Sequence, residues 1–281
     1  MGKGLNKMGD PFKIIEPTVI SFSGGRTSAY MLWRVLQSNN GKLPEDAIVC
    51  FANTGKEEEA TLEFVRDCGE KWNVSIVWLE YQWKEKPKDR FKVVDFKTAC
   101  RNGEAFESLL KSKNYFLPNT MMRFCTIELK IETINRFLKF IKFNNDQKDY
   151  VTMVGVRADE PRRVAKILAN KYGKDEKITP LASANVTEQT VWKFWDNNNF
   201  DLSLAKFGGS SNCDLCFLKG TKILTGLIRE KPSRINWWVK MEEKAGHRFA
   251  NKKPTYADML KFNDEQSDMF TDESIDCFCG D

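Results

Sequence analysis

Short apolar runs alternate with helical patterns over the first 80 residues, and this alternation is the strongest constraint on the fold. Residues 18–22, 47–52 and 74–79 are short β-rich or apolar runs, as in strands that are covered on both faces. Residues 27–37 and 57–72, which lie between them, are predicted to be helices. A strand–helix–strand order predicts a parallel sheet with right-handed crossovers. We therefore predict an α/β, doubly wound fold.

Segments of both kinds continue to about residue 200, and the pattern loosens beyond it. They are a weaker strand at 91–96, helices at 104–111 and 127–143, and a strand at 150–156. Residues 201–281 contain two further helical patterns and four cysteines. We predict two units, an α/β domain over residues 14–200 and a mostly helical, Cys-containing extension over residues 201–281 that packs on it.

The segment 23–28, Ser-Gly-Gly-Arg-Thr-Ser, lies between the first strand and the first helix. Two glycines permit a tight turn and the close approach of an anion, and the free N–H groups of a helix start point toward such an anion. The simpler interpretation is a glycine turn with a Ser or Thr helix cap. The position at the carboxyl end of a strand favours an anion site. The P-loop and dinucleotide-binding fingerprints are both absent from the sequence.

Four segments in chain order resemble the phosphoadenosine phosphosulfate (PAPS) reductase family of the N-type ATP pyrophosphatase, or PP-loop, superfamily. The first is 19–28, and the second is 51–65, where Asn53 stands at a position usually held by Asp. The third is 123–130, Arg-Phe-Cys-Thr-Ile-Glu-Leu-Lys, and the fourth is 155–163, Gly-Val-Arg-Ala-Asp-Glu-Pro-Arg-Arg. The resemblance implies an adenine nucleotide alpha hydrolase-like fold with a mainly parallel five-stranded sheet.

The resemblance also implies an adenine nucleotide, either ATP or a sulfonucleotide such as PAPS or adenylyl sulfate, with Mg²⁺. The implied nucleotide-binding residues fall into three groups. They are Ser23, Gly24, Gly25, Arg26, Thr27 and Ser28 at the phosphates, Asn53, Thr54 and Gly55 near the ribose or base, and Arg162 and Arg163 as further anion partners. Arg157 and Lys130 are expected at the phosphate or sulfate and are the candidate catalytic cations, because guanidinium and ammonium groups bind such anions.

The chain has eight cysteines and one histidine, His247, so no two-histidine metal site can form. In the iron–sulfur members of the family, a cysteine pair and a later C-x-x-C hold a [4Fe–4S] cluster. The corresponding ligands here are Cys125, Cys213 and Cys216, although Phe124 replaces one member of the pair. Cys277 is the candidate for the fourth ligand, and Cys279, Cys100 or a non-protein ligand are the alternatives. Structural zinc and reduced or redox-active thiols are the alternatives. Cys50 and Cys68 lie on apolar faces and are predicted to be core residues.

Three functions are compatible with these residues. The first is ATP-dependent adenylation or sulfur transfer assisted by the cluster, and the second is authentic reduction of PAPS or adenylyl sulfate by a nucleophilic Cys277 or Cys279. The reductase tail has the pattern E-C-G-x-H, whereas this chain ends Cys-Phe-Cys-Gly-Asp, which favours the first. The third is a non-catalytic nucleotide or nucleic-acid binding protein, with Trp237–Trp238 and residues 192–195 as stacking or, more simply, core aromatics.

The expected partners are an adenine nucleotide and a nucleic-acid or other sulfur-acceptor substrate, and a homodimer is compatible with the sequence. The net charge of +5 permits nucleic acid without requiring it. No stretch approaches the 18 apolar residues of a membrane span, and residues 1–13 lack the apolar segment of a secretory signal. We therefore expect a cytoplasmic enzyme without a membrane partner, in which thiols stay reduced.

Overall fold

The computed structural model describes residues 9–146, 150–169, 176–204 and 213–262. Within these ranges, six strands form one sheet in the order β4-β3-β2-β1-β5-β6. Their bounds are β1 Thr18–Ser21, β2 Ala47–Asn53, β3 Ile76–Glu80, β4 Lys92–Val94, β5 Val151–Val154 and β6 Glu176–Ile178. All neighbours pair in parallel except β3 and β4. The predicted α/β, mainly parallel fold is confirmed, and an antiparallel edge strand, β4, joins the five parallel strands.

The helices cover both faces of the sheet and build the carboxyl-terminal region. Their bounds are α1 Arg26–Ser38, α2 Glu59–Lys71, α3 Glu104–Ser112, α4 Phe124–Thr126, α5 Glu132–Phe140, α6 Pro161–Ala169, α7 Pro180–Ser183, α8 Glu188–Asp196, α9 Thr221–Glu230, α10 Ile235–Ala245 and α11 Tyr256–Phe262. A π-helical turn, Ile127–Ile131, joins α4 to α5. No helix in the described part of the chain is long and apolar enough to cross a membrane.

A small hydrophobic core packs Phe137 and Leu138 of α5 on Val19, Cys50 and Leu79 of the sheet, and two larger cores organise the rest of the described residues. One lies between the sheet and helices α1, α2 and α8, and the other surrounds the fully buried Trp238 of α10. The second core also takes in α3 and the segment 215–218, so the carboxyl-terminal helices pack directly on the α/β part of the chain. An ion pair of 2.9 Å between Arg234 and Glu58 crosses the same boundary.

Two glycines bring the turn at the end of β1 close to its neighbours. Gly24 has φ of +80°, and a Cβ atom there would lie 2.8 Å from the Thr61 methyl group of α2. A Cβ atom on Gly155, which follows β5, would lie 3.0 Å from the Cα atom of Ser28. The turn is therefore held against α2 on one side and against the end of β5 on the other.

Candidate functional site

The turn at residues 23–28, called the phosphate loop below, is ordered by its own hydroxyl groups. The Ser28 hydroxyl donates to the Gly25 carbonyl at 3.0 Å and lies 2.9 Å from the Ser23 hydroxyl. Arg157 donates to the Thr27 hydroxyl at 3.1 Å. No side chain caps the amino end of α1. The helix start is therefore suited to an anion, which is what the loop sequence predicts.

A cavity of about 230 Å³, called the nucleotide cavity below, lies beside this loop. Ser23 and Ser28 line it, and three cationic side chains, Lys130, Arg163 and Lys177, line it as well. The apolar walls come from β1, β5, α6 and the 131–138 helix, and comprise Val19, Ile131, Ile134, Leu138, Val154 and Ile167. Few polar groups on an otherwise apolar surface are typical of small-molecule sites.

The structure separates the two neighbouring arginines of α6. Arg163 is buried, lines the nucleotide cavity and donates to Glu160 at 2.8 Å. Arg162 is exposed and does not line the cavity. Arg157 lies at the edge of the phosphate loop and pairs with Asp159 at 3.0 Å. Arg163 is therefore the α6 cation that a ligand in the cavity can contact.

Arg26 is turned away from the space in front of the phosphate loop. Its guanidinium group makes two 2.7 Å hydrogen bonds to the Asp201 carboxylate and lies 4.5 Å from the centre of the Trp192 ring. Trp195 donates to the Arg26 carbonyl at 3.1 Å. The side chain of Arg26 thus holds α1 against α8 and the segment that follows it, although the sequence places this residue among the phosphate ligands.

Asn53, Thr54 and Gly55, expected near the ribose or base, do not line the nucleotide cavity. Asn53 is fully buried, and its amide nitrogen donates to Glu80 at 2.6 Å and to the Cys100 carbonyl at 2.8 Å. Its amide oxygen accepts from Gly55 N–H at 3.0 Å. The Asn53 side chain is therefore used within the protein, where it shapes the loop after β2.

Thr54 leads from this loop to a second, small cavity that holds the cysteines. Cys125, Cys213 and Cys216 line this thiol cavity, whose volume is about 20 Å³, together with Thr54 and Lys130. The Thr54 hydroxyl lies 3.4 Å from the Cys213 sulfur. Burial, reinforced by the Glu57 carboxylate, raises the pKa of the Cys213 thiol. Lys130 and Thr126 line both cavities, so the thiols lie next to the nucleotide cavity.

Glu57 is a residue of this region that the motifs did not single out. It is buried, and one carboxylate oxygen accepts from the N–H and hydroxyl of Thr54 at 2.8 and 2.7 Å. The other oxygen accepts no hydrogen bond and lies 3.7 Å from the Lys130 nitrogen. A buried carboxylate opposite a lysine between two cavities is a signal that only the tertiary structure contains.

The C-x-x-C loop is held by buried lysines. Lys56 pairs with Asp214 at 2.9 Å, and the indole N–H of Trp238 donates to the same carboxylate at 2.9 Å. Lys219 donates to the Cys213 and Asp214 carbonyls, each at 2.9 Å. Cationic side chains thus surround the loop that contains Cys213 and Cys216. Their positive charge favours the anionic thiolate form of these cysteines.

The cysteines fit a soft metal in donor chemistry, because three thiols from separate parts of the chain line one cavity. Their arrangement is not that of a formed cluster site. Across residues 9–146, 150–169, 176–204 and 213–262, no group of three or more His, Cys, Asp or Glu side chains could hold a metal ion. The cavity has room for about one water molecule and would have to widen for a [4Fe–4S] cluster. Cys277 and Cys279 lie outside the described residues.

The remaining sequence expectations concern core residues. Cys50 and Cys68 are buried, as predicted, and burial raises the pKa of Cys50 to about 12. Trp238 and Trp195 are also buried, which confirms the core interpretation for these two rings. Trp237 is half-buried and packs on Phe106, with 5.2 Å between the ring centres.

Comparison with protein families matches residues 17–204 to the phosphoadenosine phosphosulfate reductase domain. The chain is 29 % identical over 217 residues to the uncharacterized nin region protein ORF290 of Escherichia phage lambda, covering 73 % of this chain and 67 % of that protein. It is 28 % identical over 183 residues to the uncharacterized protein MJ0066 of Methanocaldococcus jannaschii, covering 64 % of this chain but only 31 % of that protein.

Among solved structures, the chain is similar to an NMN synthetase from Francisella tularensis, with a TM-score of 0.43 and 14 % identity over 88 % of this chain and 83 % of that one. It is also similar to the U34-tRNA thiolase NcsA from Methanococcus maripaludis with its [4Fe-4S] cluster. In that case the TM-score is 0.38 and the identity 15 %, over 88 % of this chain and 77 % of the other.

Proposed function

Because the chain belongs to the phosphoadenosine phosphosulfate reductase domain family, we propose that it is an enzyme that binds an adenine nucleotide in the nucleotide cavity. The observation that carries this proposal is an uncapped helix start beside a cavity that is lined by both apolar and cationic side chains. A nucleotide has the same division between an apolar base and charged phosphates. Both ends of the ligand therefore find a complementary surface in one cavity.

The base would lie among Val19, Ile134 and Leu138, and the phosphates would face Ser23 and Ser28. Arg163 and Lys177, which also line the cavity, would contact phosphate oxygens. The N–H groups at the start of α1 are held by the fold before a ligand arrives, since the Ser28 hydroxyl donates to Gly25 and contacts Ser23. Such preorganised donors bind an anion at a smaller entropic cost than mobile ones do.

With ATP, an acceptor would attack the α-phosphorus, the bond to the bridging oxygen would break, and pyrophosphate would leave. Mg²⁺, when bound with the nucleotide, would neutralise phosphate charge and orient the leaving group. Lys130 lies between the nucleotide and thiol cavities and would neutralise charge that develops on the phosphate during this step. Arg157 would hold the phosphate loop in position through Thr27.

The adjacent thiol cavity supports sulfur transfer to the adenylated acceptor. Cys125, Cys213 and Cys216 would hold three sites of a [4Fe–4S] cluster, and Cys277 would supply the fourth thiolate. A bound cluster would supply the site that carries sulfur. The chain's own contribution is the placement of thiols beside Lys130, which both cavities share.

Sulfonucleotide reduction is the second candidate, and the match to the reductase domain favours it. In that reaction Cys279 or Cys277 would attack the sulfate sulfur of PAPS or adenylyl sulfate, and the bond from sulfur to the bridging oxygen would break. The nucleotide would leave with that oxygen. A thiol donor would then release sulfite from the cysteine and form a disulfide with it.

Nucleotide binding is tested by isothermal titration of ATP and of PAPS into wild-type protein and two matched variants, Arg163→Gln and Arg162→Gln. We expect Arg163→Gln to weaken binding by about 10-fold or more, because it removes charge-assisted hydrogen bonds to phosphate. Arg162→Gln should bind as the wild type does, because Arg162 is outside the cavity. Equal effects of the two substitutions, or no binding by the wild type, would contradict the proposal.

The reaction is decided by assaying products after anaerobic purification. Release of pyrophosphate from ATP supports adenylation, whereas release of sulfite from PAPS supports reduction. Iron and sulfide are measured in parallel in wild type, Cys125→Ala and Cys68→Ala. We expect Cys125→Ala to lose iron and the control to keep it. An iron-free wild type would remove the cluster from the proposal and leave the nucleotide site untouched.

A further inference from the structure

A second large groove, called the α5 groove below, lies on a different face of α5 from the nucleotide cavity. Its volume is about 500 Å³, and it forms between α5 and the short turn Pro87–Asp89. Its lining is Pro87, Lys88, Asp89, Glu132, Arg136, Lys139 and Phe140. None of these residues lines the nucleotide cavity. The groove is therefore a separate surface feature that the proposed ATP chemistry does not use.

Cationic side chains lie on both elements that form the α5 groove, and Lys88 and Lys139 line it. Lys84, Lys86 and Lys88 are exposed on the loop before β4, and Lys139 is exposed on α5. In the described part of the chain, none of these four lysines forms an ion pair with a carboxylate. These four exposed, unpaired ammonium groups outnumber the three carboxylates of the same two elements, Glu85, Asp89 and Glu132, and the excess of positive charge favours an extended polyanion.

Arg136 adds a guanidinium group to the wall of the groove. One of its terminal nitrogens pairs with Glu128 at 2.8 Å, and the other is buried without a hydrogen-bond acceptor. Asp89 and Glu132 also line the groove, so its surface has acceptors as well as donors. Nucleobase N–H groups, including the ring N3–H of thymine and uracil, can donate to these carboxylates, whereas a purely anionic polymer without donors would be repelled by them.

An exposed aromatic ring distinguishes this groove from an ordinary lysine-rich surface. Phe140 lines the groove and is 70 % exposed, and its position is held by an edge contact with Phe91 at 5.5 Å between ring centres. Trp83, 48 % exposed, lies on the lysine-bearing loop with the Arg90 guanidinium group 3.8 Å from its ring centre. Single-stranded nucleic acid is bound by aromatic rings that stack on bases beside lysines that contact phosphates.

We propose that the α5 groove binds single-stranded nucleic acid. A base stacks on Phe140, its phosphates contact Lys88 and Lys139, and the flanking phosphates follow Lys84 and Lys86 along the loop. Apart from Pro87, Phe140 is the one apolar residue among five charged residues in the groove lining. This composition favours nucleic acid over an anionic membrane, which binds to a broad apolar face beside its cations. The inference goes beyond the proposed function, because the groove and the nucleotide cavity have no residue in common.

The test measures fluorescence anisotropy of labelled 12-nucleotide oligo-dT and oligo-rU without ATP, as a function of salt. The triple variant Lys86→Glu, Lys88→Glu and Lys139→Glu should bind at least 10-fold more weakly, and its salt slope should fall by about 2, since each single-strand phosphate contact contributes about 0.7. The matched control, Lys222→Glu, Lys231→Glu and Lys240→Glu, changes three exposed lysines of the carboxyl-terminal region by the same charge and should retain most of the affinity.

Stacking is tested at Phe140 with two substitutions. Phe140→Leu keeps an apolar contact with Phe91 but removes the flat ring, and it should weaken binding by about fivefold or more. Phe140→Tyr keeps the ring and should bind as the wild type does. Circular dichroism of each variant checks that it is folded, and ATP titration checks that its nucleotide site is intact.

Three results would overturn the inference. The first is a wild type that binds neither oligonucleotide at low salt, and the second is an equal loss of affinity in the two triple-lysine variants. The third is binding to phosphatidylserine vesicles that depends on the groove lysines while oligonucleotide binding does not. ATP titration of the same samples separates failure of this inference from failure of the proposed nucleotide site.

Discussion

Replacing Asn53 with Asp tests whether the loop after β2 depends on an amide at this position. The Asn53 amide nitrogen lies 2.6 Å from a carboxylate oxygen of Glu80, and both side chains are completely buried. The resemblance to the PAPS reductase family by itself favours an aspartate at this position. In this structure, however, Asn53→Asp would place two carboxylates at this distance. The Cys100 carbonyl would also lose its donor at 2.8 Å.

The free-energy cost follows from these contacts. Loss of a hydrogen bond to a charged group costs about 1.5–3 kcal/mol, and a buried carbonyl left without a donor costs about 1–3 kcal/mol. Lys92, which lies 2.7 Å from the other Glu80 oxygen, offsets part of the added repulsion. We expect Asn53→Asp to lower the free energy of unfolding by about 3–5 kcal/mol, a large fraction of the stability of an ordinary domain.

Urea unfolding at pH 7 measures this cost in a double-mutant cycle with Glu80→Gln. In the double variant the new amide can donate to the new carboxylate, so the double variant should be at least about 2 kcal/mol more stable than the sum of the single effects predicts. Asn199→Asp, at an exposed site, is the control and should change stability by less than about 0.5 kcal/mol. A loss below about 1 kcal/mol for Asn53→Asp, or additivity in the cycle, would refute the reasoning.

Three further predictions concern the loop, the core thiols and the C-x-x-C segment. In Gly24→Ala the new side chain would adopt a strained positive φ and clash with the Thr61 methyl group. The substitution should therefore abolish ATP binding in calorimetry and lower the free energy of unfolding by about 1–3 kcal/mol. Unchanged binding would contradict the loop geometry. Burial raises the pKa of the Cys50 thiol to about 12. Mass spectrometry should therefore find Cys50 unmodified by iodoacetamide at pH 8, with modification increasing as the pH rises toward 12. Rapid labelling of the folded protein at pH 8 would contradict the raised pKa. Trp238→Phe keeps a ring but removes the N–H that donates to the buried Asp214 carboxylate. It should lower the free energy of unfolding, measured in urea, by about 1.5–3 kcal/mol. An unchanged free energy of unfolding would show that the hydrogen bond is dispensable.

The fold was predictable because its signals are local. Apolar strand segments and helical stripes depend on residues a few positions apart, and their alternation limits the sheet to parallel pairing. The weaker strand predicted at 91–96 is present as β4, but its antiparallel pairing with β3 could not be predicted in this way. Only three residues long, it pairs with β3 through the Trp78–Val94 register, and so short a strand carries a weak sequence pattern.

The candidate site was predictable to the level of motifs but not of side-chain directions. Arg162 and Arg163 are indistinguishable as letters, and the helical rotation between neighbouring residues buries one beside the cavity and exposes the other. Asn53 was expected near the ribose or base, and in the structure its amide nitrogen donates to the buried Glu80. A partner 27 positions away decides this orientation.

The sequence by itself determined the local features, namely the strands, the helices, a glycine turn at a helix start, and cysteines at recognisable spacings. Only the tertiary structure decided which of these features lie next to one another. Lys130 and Thr126 join the nucleotide cavity to the thiol cavity, Glu57 lies buried opposite Lys130, and Phe140 is exposed among the groove lysines. The physical reason is that backbone conformation follows from neighbours along the chain, whereas burial and charge partners are set by packing between distant segments.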